Sequence, residues 1–267
     1  MTGASTSDTR GWRLIMLLRD RVAIVTGASR GIGRSIALSY ASEGACVVVT
    51  ARTSSELEGL VNQITNQGGV AISVPGDVSS HADVKRVVDS AVRSFSRVDI
   101  LVNNAGVSGT TKPLDGIEES EWDEVMNVNA KGYFLFAREV LPHMLRQHSG
   151  NIINVSSGAG ERHPGKVVRS ITYGVSKFAV EGLNYCLAMR LAGTGINVNA
   201  IKPGPIRTAF HSSTPEDQLR RLAAATGGIH DPEFVNPLAI YLAALSPSEL
   251  TGASLNVSEW NASKSTR

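Results

Sequence analysis

At 267 residues, 42% hydrophobic and 19% charged, the chain is long enough to bury a sizeable core. Its formal net charge of +2 is spread along the chain rather than gathered in a patch, which gives no footing for nucleic acid or an acidic membrane surface. The isolated cysteines Cys46 and Cys186 argue against a disulfide framework or a metal site, and are expected as buried thiols in a reducing compartment.

Residues 1–17 are expected to be a disordered extension, because Thr2–Thr9 is small, polar and aperiodic. The apolar run Leu14–Leu18 is far too short to span a bilayer, and the arginine and aspartate after it do not resemble a cleavage site. A cytoplasmic protein is therefore expected. Over 18–267 the pattern is that of one domain. Arg21–Val25 reads as a short buried strand, Thr26–Gly33 as a glycine-rich turn, and Ile36, Ala37, Tyr40 and Ala41 as the buried stripe of a helix. Cys46–Thr50 is a second strand, and further strands fall near 70–74, 98–102, 150–155, 195–201 and 253–257, with helices between them. That alternation, without linker or repeat, predicts an α/β fold: a single Rossmann-type domain with a doubly wound, mostly parallel seven-stranded sheet and helices on both faces.

The glycines of the first turn let backbone pass close to a pyrophosphate resting on a helix N-terminus, where free N–H groups point at it. Strand before, helix after and a second strand beyond supply the βαβ context that this reading needs. Near the middle of the chain, Ile152–Ser157 ends a strand in serines, and Tyr173 and Lys177 follow at i, i+4 on one helix face. A cation beside a phenol favours phenolate, so Lys177 is expected to lower the Tyr173 pKa from about 10 toward the working range of a general acid or base.

In order and spacing these marks resemble the short-chain dehydrogenase/reductase family, in its compact single-domain branch, over Leu18–Val257. The residues that carry the resemblance are Thr26-Gly-x-x-x-Gly31-x-Gly33, Asp77-Val78, Asn103-Asn104-Ala105-Gly106, Asn127-Val128-Asn129, Ser157, Tyr173-x-x-x-Lys177 and Pro203-Gly204-Pro205-Ile206-Arg207-Thr208. The resemblance implies a catalytic set of Asn129, Ser157, Tyr173 and Lys177. Ser157 would donate to the substrate oxygen beside Tyr173, with Ser156 as the competing candidate. Asn129 would bend its helix and hold a water that links Lys177 to solvent, and Lys177 would also bond the nicotinamide ribose. It implies a cofactor site of Gly27, Ser29, Arg30, Gly31, Ile32, Gly33, Arg52, Asp77, Val78, Asn104, Ala105, Gly106, Tyr173, Lys177, Pro203, Gly204, Ile206 and Thr208. Asp77 is read either as an acceptor for the adenine amino group or as a helix cap.

Cofactor choice follows from the end of the second strand, where Ala51 stands at the position of the family's NAD-selecting aspartate. Arg52 follows it and Arg30 lies in the glycine turn, so a 2′-phosphate has two guanidiniums to meet, and NADP(H) is expected. The expected reaction moves hydride between NADP(H) and a small-molecule carbonyl or secondary alcohol; the alternative is a non-catalytic dinucleotide-binding regulatory or scaffold protein. A homo-oligomer, with a tetramer favoured, is implied through the helices around 118–147 and 171–192 and the C-terminal strand. A lid is expected over about 204–233. Two stretches depart from the family pattern: the basic insert 161–169 before Tyr173, and Leu255–Asn261, which replaces the frequent Val-Asp-Gly-Gly ending.

Overall fold

The computed structural model describes residues 16–162, 170–208, 220, 223 and 228–265. Most of the N-terminal extension, residues 163–169 of the basic insert and most of the expected lid therefore lie outside the described residues. Seven strands, β1 Val22–Thr26, β2 Cys46–Thr50, β3 Val70–Ser73, β4 Ile100–Asn103, β5 Gly150–Val155, β6 Ile196–Lys202 and β7 Ser254–Asn256, form one sheet in the order β3-β2-β1-β4-β5-β6-β7. All neighbours pair in parallel, as crossover helices require.

The inner strands are buried on both faces; β1 and β4 read as nearly continuous apolar runs, while β5 and β6 bury Asn151, Asn154, Asn197 and Asn199 among their apolar residues. Their side chains still divide by parity. Ala23, Val25, Val47 and Val49 face a core shared with α1 (Gly31–Ser42), α2 (Ser54–Asn66), α7 (Asn236–Ala244) and α8 (Val257–Ser265). Ile24 and Val48 face the other core, with α3 (His81–Phe95) and α5 (Gly132–Gln147). α4 (Glu119–Met126) and a π turn, Asn127–Lys131, lead directly into α5, and α6 spans Ile171–Arg190 on the same side. Among the described residues no helix is long and apolar enough to cross a membrane.

Two sequence expectations change here. Cys186 is exposed, because α6 turns Tyr185, Cys186 and Met189 away from the sheet, and Cys46 is only half-buried. The strand expected near 253–257 ends at Asn256, and α8 begins at Val257. Asn256 Oδ1 accepts from the backbone N–H of Ser258 at 2.9 Å and of Glu259 at 3.4 Å, and thereby caps α8. Asn followed by Glu at the third helical position was the legible signal for that helix.

Candidate active site

The sheet reverses its winding between β1 and β4, and the carboxyl ends of those strands open a crevice there, the place where open α/β sheets bind ligands. Thr26 and Asn104 tie it together. The Thr26 hydroxyl donates to Val102 O and accepts from the backbone N–H of Asn104 at 2.9 Å and of Ala105 at 3.1 Å. The Asn104 amide donates to Thr26 O at 2.9 Å and to Gly27 O at 3.2 Å. Such contact leaves no room for side chains: a Cβ on Gly33 would lie 2.4 Å from Asn104 Nδ2 and 2.5 Å from Gly27 O. Gly31 has φ +57°, and its bare backbone faces Thr208, whose methyl would sit 2.9 Å from an added Cβ. The glycine-rich turn and the segment after β6 are thus brought together.

Arg30 is the N-cap residue of α1 and, like Arg52 two positions past β2, is exposed; neither is in an ion pair among the described residues. Asp77 is not the cap of α3. That role falls to Ser80, while Asp77 Oδ1 accepts from Ser79 N–H at 2.8 Å and from Ser79 Oγ at 2.7 Å. Val78 is buried against Gly132.

At the end of β5, Ser157 caps a short 3₁₀ turn, its Oγ accepting from Ala159 N–H at 3.1 Å, and its side chain also hydrogen-bonds the Tyr173 hydroxyl. Ser156 instead continues the ladder, donating its N–H to Ile201 O at 2.8 Å. Lys177 is buried one helical turn past Tyr173. Its Nζ donates to Val155 O at 2.7 Å and lies 5.4 Å from the centre of the Tyr133 ring and 5.6 Å from that of Tyr173.

Burial decides the protonation of this pair. It lowers Lys177 to about 7, against a smaller upward pull from Glu181, and raises Tyr173 to about 12, against the hydrogen bond from Ser157. Within the chain, then, desolvation outweighs any lowering of the Tyr173 phenol by Lys177, whose own pKa burial draws down to about 7. Sequence spacing places the two groups on one face, but it does not report how deeply that face is buried.

Asn129 sits in the π turn, fully buried. Its amide clamps the chain beyond Gly106, accepting from Val107 N–H at 2.8 Å and donating to Val107 O at 2.9 Å and to Ser176 Oγ at 3.0 Å. The local widening of the helix agrees with the expected bend, since a π turn leaves carbonyls out of the regular ladder. Sequence reasoning missed three supporting residues: Tyr133, whose hydroxyl shares Val155 O at 3.0 Å, Ser176, and Glu181 at i+4 from Lys177. An i+4 carboxylate was the available signal for the last. Pro203, Gly204 and Ile206 follow β6, and Ile206 forms an isolated bridge with His230. No cluster of His, Cys, Asp or Glu suited to a metal occurs among the described residues.

The family model for short chain dehydrogenases matches residues 21–219. The chain is 35% identical over 246 residues to a 3-oxoacyl-[acyl-carrier-protein] reductase of Thermotoga maritima, covering 91% of this chain and 98% of the relative. It is 38% identical over 241 residues to the protein of the same name from Staphylococcus aureus, covering 88% and 95%. Among solved structures, a putative NAD(P) dependent gluconate 5-dehydrogenase from Beutenbergia cavernae, with bound NADP, superposes with a TM-score of 0.83 at 31% identity, over 93% of this chain and 99% of that one. The chain belongs to the short chain dehydrogenase family, and it is an oxidoreductase of that family.

Proposed function

We propose that this short chain dehydrogenase is an NADP(H)-dependent oxidoreductase that interconverts a small carbonyl compound and its secondary alcohol, with Tyr173 as general acid and base. The observation that carries the proposal is the hydrogen-bonded Ser157–Tyr173 pair with Lys177 buried beside it, at the carboxyl edge of the sheet. A scaffold that only bound a dinucleotide would have no use for a lysine held in a site that drives its pKa down to about 7.

The chain's own residues fit such a cofactor. Gly27, Gly31 and Gly33 keep backbone bare beside Ser29 and Ile32 at the start of α1, where N–H groups are free for a pyrophosphate. Arg30 and Arg52 supply the charge for a 2′-phosphate, and Asp77 and Val78 line the adenine side. Asn104, Ala105 and Gly106 form the floor; Pro203, Gly204, Ile206 and Thr208 close the other wall. When bound, the nicotinamide supplies or takes the hydride. Ser157 orients the substrate oxygen and steadies the charge that develops on it, Tyr173 passes the proton, and Lys177 holds the ribose and biases the phenol. Asn129 keeps the π turn open as the route by which Lys177 recovers a proton.

For the substrate, a 3-oxoacyl thioester is the first to test, because relatives bearing that reductase name align over nearly their whole length. A panel adding gluconate-type polyhydroxy acids and simple ketones, read at 340 nm with NADPH and NADH, tests the reading. Oxidation of NADPH by at least one carbonyl, lost in Tyr173→Phe, is expected; no turnover on any member, with NADPH bound, would argue for the scaffold.

A homo-oligomer belongs to the same proposal, with a tetramer favoured. Val175, Phe178, Tyr185 and Met189 form an exposed apolar stripe along α6, and Phe134 and Leu145 are exposed on α5. A run of exposed apolar side chains of this kind supports a protein contact.

A further inference from the structure

The last helix, α8, has no part in the proposed chemistry, yet it reaches the segment that completes the site. Trp260 packs against the core at 5.6 Å from the Tyr241 ring, and Lys264 Nζ lies 5.4 Å and 5.6 Å from those two rings. Beside it, Asn261 Nδ2 donates to Phe234 O at 3.1 Å. The Phe234 ring stacks on His230, centres 3.8 Å apart and planes 10° from parallel. The His230 backbone in turn grips the chain leaving β6. Its carbonyl accepts from Arg207 N–H at 2.8 Å, and its N–H donates to Pro205 O at 3.1 Å. Thr208, next after Arg207, is the residue that meets Gly31.

We propose that α8 is a latch, with Asn261 and Trp260 as positioning residues that act through Phe234 and His230 to hold Pro205–Thr208 against the glycine-rich turn. The isolated bridge has a single rung, so it gains no support from neighbouring strand pairs; besides an exposed Arg207–Asp231 ion pair at 3.1 Å, the stacked His230 ring and the bond from Asn261 hold its far side. α7 carries the same restraint to the cofactor helix, because Ser35 Oγ donates to Asn236 Oδ1 at 3.1 Å and Tyr40 OH to Ala239 O at 2.8 Å. The latch rests on the proposed dinucleotide site only for its consequence on binding.

Hydrogen exchange on the free protein separates a latch from a helix that merely covers apolar surface. Asn261→Asp keeps the shape and removes the donor; it is expected to speed exchange at 205–208 and 228–234 by about fivefold or more, with β1, β4 and β5 unchanged. Trp260→Ala should do so more strongly and Trp260→Phe should restore protection. NADPH affinity should fall about threefold or more in Asn261→Asp. Unchanged exchange at the bridge in Asn261→Asp, or equal acceleration throughout the sheet, overturns the latch, and Asn261→Asp decides the matter even if Trp260→Ala does not fold. A wild type that binds no NADPH would count against the cofactor assignment instead, since the exchange pattern is read without it.

Discussion

Replacing Lys177 by Met tests the electrostatics of the site without any substrate. The folded pKa of about 7 lies below the ordinary 10.5, so between those values the unfolded chain holds a proton that the folded site has released. Where the unfolded state binds more protons, stability rises with pH. The penalty is complete below about 7 and gone above 10.5. One proton corresponds to about 1.4 kcal/mol per pH unit, hence roughly 2 kcal/mol between pH 7.5 and 9.0. With about 2.1 cal/mol/K of unfolding entropy per residue over 267 residues, that is a rise in Tm of about 3–4 °C. The window stops near pH 9 because burial also pushes the Cys46 thiol up, and a raised thiol pulls stability down at higher pH.

Lys177→Met should lose this slope and melt above the wild type at pH 7.5. The Val155 carbonyl is not orphaned by the change, since it still accepts from Tyr133 OH at 3.0 Å. Differential scanning fluorimetry across the window reads both effects. A Met variant whose Tm rises with pH within about 1 °C of the wild type's would refute the reasoning, because the proton released would then belong to another group.

NADPH should bind at least tenfold more tightly than NADH, about 1.4 kcal/mol, and Arg52→Ala should erase most of that gap in a fluorescence titration. Gly33→Ala forces a methyl into Asn104 and the Gly27 carbonyl, so Tm should fall by about 2–5 °C, consistent with roughly 1–3 kcal/mol of overpacking, and NADPH affinity should fall with it. Ser157→Ala should lower turnover by about 10²-fold or more, while Tyr173→Phe should remove most turnover and leave NADPH binding nearly intact, as stopped-flow and equilibrium titration can separate. Tyr185→Asp with Met189→Asp should reduce the assembled mass in light scattering; a monomeric wild type at micromolar concentration would remove the α6 stripe from assembly.

β1 and β2 were legible because parallel strands buried on both faces leave nearly unbroken apolar runs, and the turn after β1 because its glycines sit where a Cβ, at Gly33, would come within 2.4 Å of Asn104. Tyr173 and Lys177 were legible because helix spacing fixes which side chains share a face, whereas Ser157 came only from the family resemblance. What spacing does not carry is depth. The i, i+4 spacing of Tyr173 and Lys177 says nothing of how the lysine is desolvated, and the structure buries it near the Tyr133 ring against the Val155 carbonyl. Exposure at Cys186 was lost in the same way, since an apolar residue on an amphipathic helix looks core-facing until the second apolar stripe of α6 is seen to face outward. α8 was missed although Asn256 and Glu259 spell its cap, because the preceding apolar residues drew the pattern toward a strand.

The protonation state of the free site sets an order of events. With Tyr173 near 12 and Lys177 near 7, a protein at pH 8 holds a neutral phenol beside a mostly neutral amine, which is ready to donate a proton but not to accept one. For the reverse reaction the phenol must lose its proton, and among the described residues no nearby charge drives that loss: Glu181 draws Lys177 upward but is outweighed by burial. On the proposed mechanism Tyr173 in this protonation state serves as the acid of carbonyl reduction, and alcohol oxidation should show the steeper pH dependence below about pH 9. Initial rates in both directions over pH 6–10 read this directly: parallel profiles would mean that protonation of Tyr173 does not limit either one.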